Sequence, residues 1–229
     1  LSVGAPPDPL GTDGQEWGIA TLAPAAHRRT GFADFIATLR AGLRHAGGVR
    51  IDHAMGLKRL WVIPHGFPAT KGAYLQYPER DLMRLLALES WRAKAIVVGE
   101  DLGTVPPGFR ETMAGRGFLG MRVLWFERTA RGGFRSPAKW DREAAAMTST
   151  HDLPTLAGWW SERDIDWTWR IGRTSAFATE GGERAARAHE RARLWRAIGD
   201  GPTPPREEPE RAVTAAVAYV GRSASDLAL

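Results

Sequence analysis

Three short apolar segments of this chain each end in charged residues, at the point where the apolar run stops. The segments, with their polar ends, are VRIDH at 49–53, AIVVGED at 95–101 and AAAMTSTHD at 144–152. Apolar runs of this length, separated by segments of helical periodicity, are typical of parallel strands that are buried on both faces. The carboxyl ends of such strands meet at one edge of the sheet, so we expect the charged groups to lie close together.

The segments between these strands predict helices. Residues 31–43 place apolar side chains at helical spacing, and Gly47 and Gly48 end the pattern. Five further helices are predicted: at 81–94, from the prolines at 106–107, from Pro154, at 184–198 and at 208–228. One more strand is predicted at 120–128. About four parallel strands alternate with helices, which predicts the α/β class.

A barrel explains the pattern better than an open nucleotide-binding sheet. No GxGxxG or Walker loop follows any strand. We therefore predict that residues 1–229 form one partial (β/α)8 TIM barrel domain with helical insertions. Residues 1–30 are expected to be an active-site loop region, 31–160 to hold the barrel strands with the carboxylates, and 161–229 to be a mainly helical remainder. The run 59–64 is expected to be a barrel segment that leads away from the site.

The types of residue at the strand ends suit the chemistry of a glycosidic bond. One ionised carboxylate attacks the anomeric carbon and one protonated carboxyl group donates to the leaving oxygen, about 5–5.5 Å apart in a retaining enzyme. Ten tryptophans are more indole than a core of this size needs, and indole faces stack on sugar rings.

The neighbours of two carboxylates fit two different roles. Arg50 lies two residues before Asp52, on the same face of a strand, and its charge favours an ionised nucleophile. The apolar approach to Glu100 and the other carboxylates favour a protonated acid there.

Each motif also has a structural interpretation. Arg50 and Asp52 could form a simple ion pair, the sequence Glu100-Asp101-Leu102-Gly103 could be a helix cap or a turn, and Asp152 could cap the helix that Pro154 begins. All three motifs at successive strand ends favour a site.

Composition excludes several classes. The chain has no cysteine, and therefore neither disulfides nor zinc–thiolate sites. No apolar run approaches the roughly 20 residues that span a bilayer. The net charge of +5 comes from basic residues that are spread along the chain, so we expect neither a nucleic-acid nor a membrane partner.

The motifs GAPPD…GQEWG, RIDHAMGLKRLWVIP, VVGEDLGTVPP, GMRVLWFER and STHDLPT resemble, in order and spacing, those of the 4-alpha-glucanotransferases of glycoside hydrolase family 77, also called amylomaltases or disproportionating enzymes. The resemblance covers roughly residues 3–160. It implies a cytoplasmic transferase of starch, glycogen and maltodextrin metabolism that moves α-1,4-glucan segments between maltooligosaccharides through a glycosyl-aspartate, with no cofactor.

The resemblance also implies roles for individual residues. Asp52 corresponds to the nucleophile, Glu100 to the acid/base and Asp152 to the transition-state stabiliser. Substrate-binding residues implied in the same way are Arg50, His151, Gln15 and Trp17. The loop of Gln15 and Trp17 would overhang the cleft and help exclude water.

The chain departs from the family in length. We expect it to be the C-terminal part of the (β/α)8 barrel, truncated at both ends, to need the missing barrel segments as partners, and to be inactive or poorly folded alone. Two alternatives remain at this stage, an α-amylase-type hydrolase and a non-catalytic glucan-binding fragment.

Overall fold

The computed structural model describes residues 1–8, 12–173 and 175–229. The chain divides into one unit of residues 1–120 and another of residues 121–229. Both units mix helices with strands, which confirms the α/β class. In the described parts of the chain, no helix is both long and apolar enough to cross a membrane.

The first unit holds six strands and four helices among its described residues. They are β1 (Ser2–Ala5), β2 (Gln15–Glu16), α1 (Pro24–Arg29), α2 (Ala33–Leu43), β3 (Gly48–Ile51), β4 (Arg59–Ile63), β5 (Ala73–Gln76), α3 (Glu79–Ala93), β6 (Ile96–Gly99) and α4 (Phe109–Ala114). The predicted helices at 31–43 and 81–94 are confirmed as α2 and α3. The helix predicted to begin on Pro106 and Pro107 begins instead at Phe109, after Gly108 in a left-handed conformation.

Strands β3 and β6 pair in parallel, and α3 lies in the connection between them. Such a pair needs a crossover connection, and a helix is the usual one. The buried side of α3, with Leu82, Met83 and Leu86, joins the same apolar core as Val97 of β6. This βαβ arrangement is the one that the apolar runs predict.

A second, antiparallel sheet in this unit has the strand order β2-β1-β4-β5 and was not expected. The prediction of a loop at residues 1–30 was wrong for β1, β2 and α1. The run 59–64, predicted to be a barrel segment that leads away from the site, holds β4, which pairs antiparallel with β1 and β5. Gly4 is one reason why the sequence suggests a loop where β1 forms. A Cβ atom there would lie 1.9 Å from the Gln15 carbonyl oxygen, so this glycine permits close strand pairing.

The second unit begins within β7 and is mainly helical. Its elements are β7 (Gly120–Val123), β8 (Ala144–Met147), α5 (Leu156–Trp160), α6 (Arg163–Arg170), α7 (Glu180–Ile198), α8 (Pro209–Val220) and β9 (Leu227–Ala228). The predicted strand at 120–128 ends at Val123 and continues as a 3₁₀ turn, Leu124–Phe126. The predicted helix at 208–228 ends at Val220, and the chain returns as β9, parallel to β8.

Aromatic packing fills the core of the second unit. Trp160 is fully buried and contacts Trp195 edge to face, with ring centroids 6.2 Å apart. Tyr219 and Trp140 belong to the same cluster. Several of the ten tryptophans therefore serve the core rather than a sugar cleft.

A buried carboxylate ties the helices of this unit together. Glu162, immediately before α6, is almost fully buried and accepts hydrogen bonds from Arg184 at 2.9 Å, from Arg206 at 3.2 Å and from Arg191. Burial alone would raise the pKa of Glu162, but the hydrogen bonds from these guanidinium groups outweigh it and lower the pKa. Glu162 is therefore ionised at neutral pH and joins α6, α7 and the 199–208 connection.

Glu162→Gln should loosen α6 and α7, because it removes the buried negative charge that Arg184, Arg191 and Arg206 share. Arg184 keeps Asp166 and Glu180 as partners, and Arg206 keeps Glu207. We expect the opening free energy of these helices to fall by about 2–3 kcal/mol, less than the roughly 3–5 kcal/mol for breaking a fully buried ion pair, since Arg206 is half exposed. Hydrogen–deuterium exchange of the α6 and α7 amides measures this change. The matched control is Glu207→Gln, an exposed partner of Arg206, which should change nothing measurable.

Candidate active site

The register of β3 against β6 brings two predicted site residues to the same edge of the sheet. Arg50 pairs with Val98 and Ile51 pairs with Gly99, so Asp52 and Glu100 follow at equivalent positions beyond the strand ends. The two carboxyl groups influence each other, because the charge of Asp52 helps to raise the pKa of Glu100. The structure thus confirms that these two strand ends converge.

Backbone hydrogen bonds continue past the strands and hold this edge together. The Glu100 N–H donates to the Ile51 carbonyl at 2.9 Å, and the Ala54 N–H donates to the Glu100 carbonyl at 2.9 Å. Asp52 lies between the Ile51 carbonyl and the Ala54 N–H that make these two bonds, on the turn from β3 into the 3₁₀ helix Ala54–Leu57.

The Glu100 carboxyl group is held by two backbone donors. Oε1 accepts from the Leu102 N–H at 2.7 Å, and Oε2 accepts from the His53 N–H at 2.9 Å. Burial is the largest influence on its pKa and raises it, whereas the two N–H groups and Arg50 lower it less strongly. The net pKa of Glu100 lies above its ordinary value, as an acid catalyst requires.

Arg50 and Asp52 form the ion pair that their spacing suggests. Arg50 Nη1 lies 2.5 Å from Asp52 Oδ1, and the Asp52 side chain is 73% exposed. An exposed pair of this kind stabilises a fold by at most about 1 kcal/mol. At the site the pair orients the Asp52 carboxylate, because Arg50 holds Oδ1 and leaves Oδ2 free of this contact.

The neighbouring acid Asp101 has a separate, structural task. Its side chain is fully buried, and Arg110 Nε donates to its Oδ2 at 2.6 Å. Arg110 Nη2 also donates to the Asp101 carbonyl at 2.7 Å. Asp101 therefore anchors α4 behind the site, and only Glu100 of this acidic pair reaches the strand-end edge.

The predicted glucan-contacting residues Gln15 and Trp17 lie in and just after β2. Trp17 Nε1 donates to Gln15 Oε1 at 3.0 Å, and the Trp17 backbone N–H donates to the Val3 carbonyl of β1. The Trp17 indole meets the His53 ring edge to face, with centroids 5.1 Å apart. Trp17 is thus placed next to the residue that follows Asp52, within the first unit.

His151 and Asp152 follow β8 in the second unit. His151 Nε2 lies 3.4 Å from Asp152 Oδ1, and both side chains are about 70% exposed. The cap of α5 is Thr155, whose hydroxyl accepts from the Gly158 N–H. The interpretation of Asp152 as a helix cap was therefore wrong, and α5 begins at Leu156 rather than at Pro154.

In the first unit, the structure brings together Arg50, Asp52 and Glu100 and places Trp17 with Gln15 beside His53. In the second unit it brings His151 and Asp152 together. Across the described residues, no group of three or more His, Asp or Glu side chains is arranged to hold a metal ion.

Comparison with known proteins decides the family. The sequence model of the 4-alpha-glucanotransferase family, glycoside hydrolase family 77, matches residues 1–229. The chain belongs to this family. It is 40% identical over 239 aligned positions to a 4-alpha-glucanotransferase of Mycobacterium bovis, covering 99% of this chain and 32% of that protein. A Haemophilus influenzae 4-alpha-glucanotransferase is 44% identical over 165 positions, covering 72% and 24% of the two chains.

A solved structure gives the same result for the fold. The amylomaltase of Corynebacterium glutamicum superposes with a TM-score of 0.88 at 31% sequence identity, covering 99% of this chain and 34% of that one. The chain thus spans a quarter to a third of the length of the family members that it matches.

His53 follows Asp52 in the RIDH motif, and no role for it was predicted from the sequence. The signal that could have found it is its position directly after Asp52, where the strand must turn. In the structure its backbone N–H holds Glu100 and its ring contacts Trp17.

Arg50→Gln should raise the pKa of Glu100 further, because the positive charge of Arg50 now favours the ionised carboxylate. Carboxyl ¹³C NMR of the glutamate-labelled full-length polypeptide follows this titration. Arg80→Gln removes the same charge from an exposed position on α3 and should leave the Glu100 titration where it was. A Glu100 pKa that falls or stays constant in Arg50→Gln would contradict this electrostatic account.

Proposed function

We propose that this chain carries the nucleophile and the acid/base of a retaining 4-alpha-glucanotransferase, which moves α-1,4-glucan segments between maltooligosaccharides. The observation that carries the proposal is the pairing of β3 with β6, which sets Asp52 and Glu100 at equivalent strand ends in different surroundings. Neighbouring strands lie about 4.8 Å apart. That spacing suits the roughly 5–5.5 Å between the two carboxyl groups of a retaining pair.

Asp52 suits the role of nucleophile. It is exposed, and Arg50 holds its Oδ1 and so orients the carboxylate. Attack by a free Oδ on the anomeric carbon C1 of the donor sugar forms a glycosyl ester. The bond from C1 to the glycosidic oxygen breaks in the same step.

Glu100 suits the role of acid/base. Its raised pKa increases the protonated fraction near neutral pH, so it can donate its proton to the departing glycosidic oxygen. The carboxylate left behind then takes the proton from the 4-hydroxyl of an acceptor sugar. That oxygen attacks C1, the ester to Asp52 breaks, and both carboxyl groups return to their first state.

The remaining assignments are proposals from the family resemblance. Asp152, with His151 beside it, would stabilise the transition state and hold the donor sugar. Gln15 and Trp17 would contact glucan. The hydrogen bond from the Trp17 N–H to the Val3 carbonyl of β1 supports this role, because it fixes the position of the Trp17 backbone. We also propose that β3 and β6 are two strands of a (β/α)8 barrel and that the rest of the polypeptide supplies its other strands. The proposed enzyme is cytoplasmic, uses no cofactor and has no nucleic-acid or membrane partner.

Glu100→Gln should lower kcat for transfer from maltotriose by about 10²–10⁴-fold, the usual contribution of a general acid–base group. Product analysis by chromatography of the full-length polypeptide with maltotriose and glucose measures this. Glu111→Gln is the matched control, the same change at an exposed position of α4, and it should keep the activity of the parent.

An activated donor separates the two carboxyl roles. The fluoride of α-maltosyl fluoride leaves without protonation, so Glu100→Gln should still release fluoride while Asp52→Asn should not. Equal loss of fluoride release in both variants would contradict the assignment. Release of glucose and maltose without longer oligosaccharides in the parent enzyme would indicate a hydrolase, and binding without any turnover would indicate a glucan-binding protein.

A further inference from the structure

The backbone at His53 has an unusual conformation. Its φ of 43° and ψ of 60° lie in the left-handed region, which is uncommon for residues other than glycine, although asparagine, aspartate and histidine adopt it more often than the rest. A conformation of this kind persists only where its surroundings hold it, and such positions cluster at functional sites.

The left-handed turn aims two successive backbone donors at one residue. The His53 N–H reaches Glu100 Oε2 at 2.9 Å, and the next N–H, of Ala54, reaches the Glu100 carbonyl at 2.9 Å. The His53 N–H on Oε2 and the Leu102 N–H on Oε1 fix the carboxyl group in one orientation, and the Ala54 N–H holds the Glu100 backbone. Each carboxyl oxygen has two lone pairs. One lone pair on each oxygen therefore remains for the proton that the proposed reaction moves.

The side chain of His53 makes a different contact. Its half-buried ring meets the edge of the Trp17 indole at an interplanar angle of 75°. The charged groups that influence the ring are Asp52 and Arg59, and burial is the largest influence on its pKa, which it lowers. The ring is therefore neutral at neutral pH and packs against the indole as an aromatic surface.

We infer that His53 is a positioning residue of the proposed transfer reaction, with its backbone N–H orienting the Glu100 carboxyl group and its imidazole orienting the Trp17 indole. This inference rests on the proposed function. It links the residue after the nucleophile to the acid/base on one side and to a proposed glucan-contacting residue on the other. The two tasks are carried by different atoms, so substitutions can separate them.

The test uses two substitutions in the full-length polypeptide. His53→Gly adopts the left-handed turn without strain and keeps the N–H, but it loses the ring. In His53→Val the new side chain is β-branched and strongly disfavours the left-handed conformation, so the N–H donor moves away from Glu100. His65→Val, at an exposed loop histidine, is the matched control and should match the parent in every readout.

We expect the two variants to differ in kind. His53→Gly should raise KM for the oligosaccharide by about 2- to 10-fold, the size of one aromatic pair, with a kcat close to that of the parent. His53→Val should lower kcat by about 10²-fold, as a misplaced catalytic group does. It should also raise the pKa of Glu100, because the ionised carboxylate loses a donor, and thus move the alkaline limb of kcat/KM to higher pH.

A double variant keeps the inference testable if His53→Val does not fold. In a Trp17→Ala background, His53→Gly should add no further increase in KM, because the ring has lost its partner. Additive effects on KM would overturn the role of the imidazole.

Carboxyl ¹³C NMR of Glu100 separates this inference from the proposed function. The titration needs no turnover, so a polypeptide without transferase activity would refute the function while the comparison of variants still tests His53. A Glu100 titration that is unchanged in folded His53→Val, or that shifts equally in His53→Gly, would overturn the role of the backbone N–H.

Discussion

The parallel register of β3 against β6 is the constraint on which the candidate site depends. Ile51 pairs with Gly99, and the bonds from Glu100 to Ile51 and from Ala54 to Glu100 extend that pairing past the strand ends. A slip of one residue would turn the side chains of one strand to its other face. Asp52 and Glu100 would then no longer stand at equivalent positions beyond the strand ends, so the register of this short pair sets the geometry of the proposed chemistry.

The two carboxyl groups differ because their surroundings differ. Asp52 stands in solvent beside a guanidinium group, whereas Glu100 is half-buried and its pKa is raised by burial. This asymmetry suits a retaining pair, in which the nucleophile and the acid/base need different surroundings. Trp17 is joined to this edge through His53, so the proposed sugar-contacting surface and the proposed acid share one turn.

The sequence predicted the features that depend on local pattern. Apolar runs with polar ends identified β3, β6 and β8, and the spacing of Arg50 and Asp52 identified their ion pair. It did not predict features that depend on distant partners. β1 is a strand because β2 and β4 lie beside it, and its Gly4 looks like a loop residue until that packing is known. The family resemblance pointed to Glu100 of the neighbouring acids Glu100 and Asp101, but the pairing of Asp101 with Arg110 depends on tertiary structure and was not predicted.

The stereochemistry of transfer tests the central claim most directly. The full-length polypeptide is incubated with maltotriose and with glucose labelled with ¹³C at C4, the carbon that bears the acceptor hydroxyl, and NMR identifies the anomeric configuration of the new linkage at that carbon in the first labelled product. Two displacements at C1, the first by Asp52, predict an α-1,4 linkage. A β linkage would mean a single displacement and would contradict the assignment of Asp52 as the nucleophile.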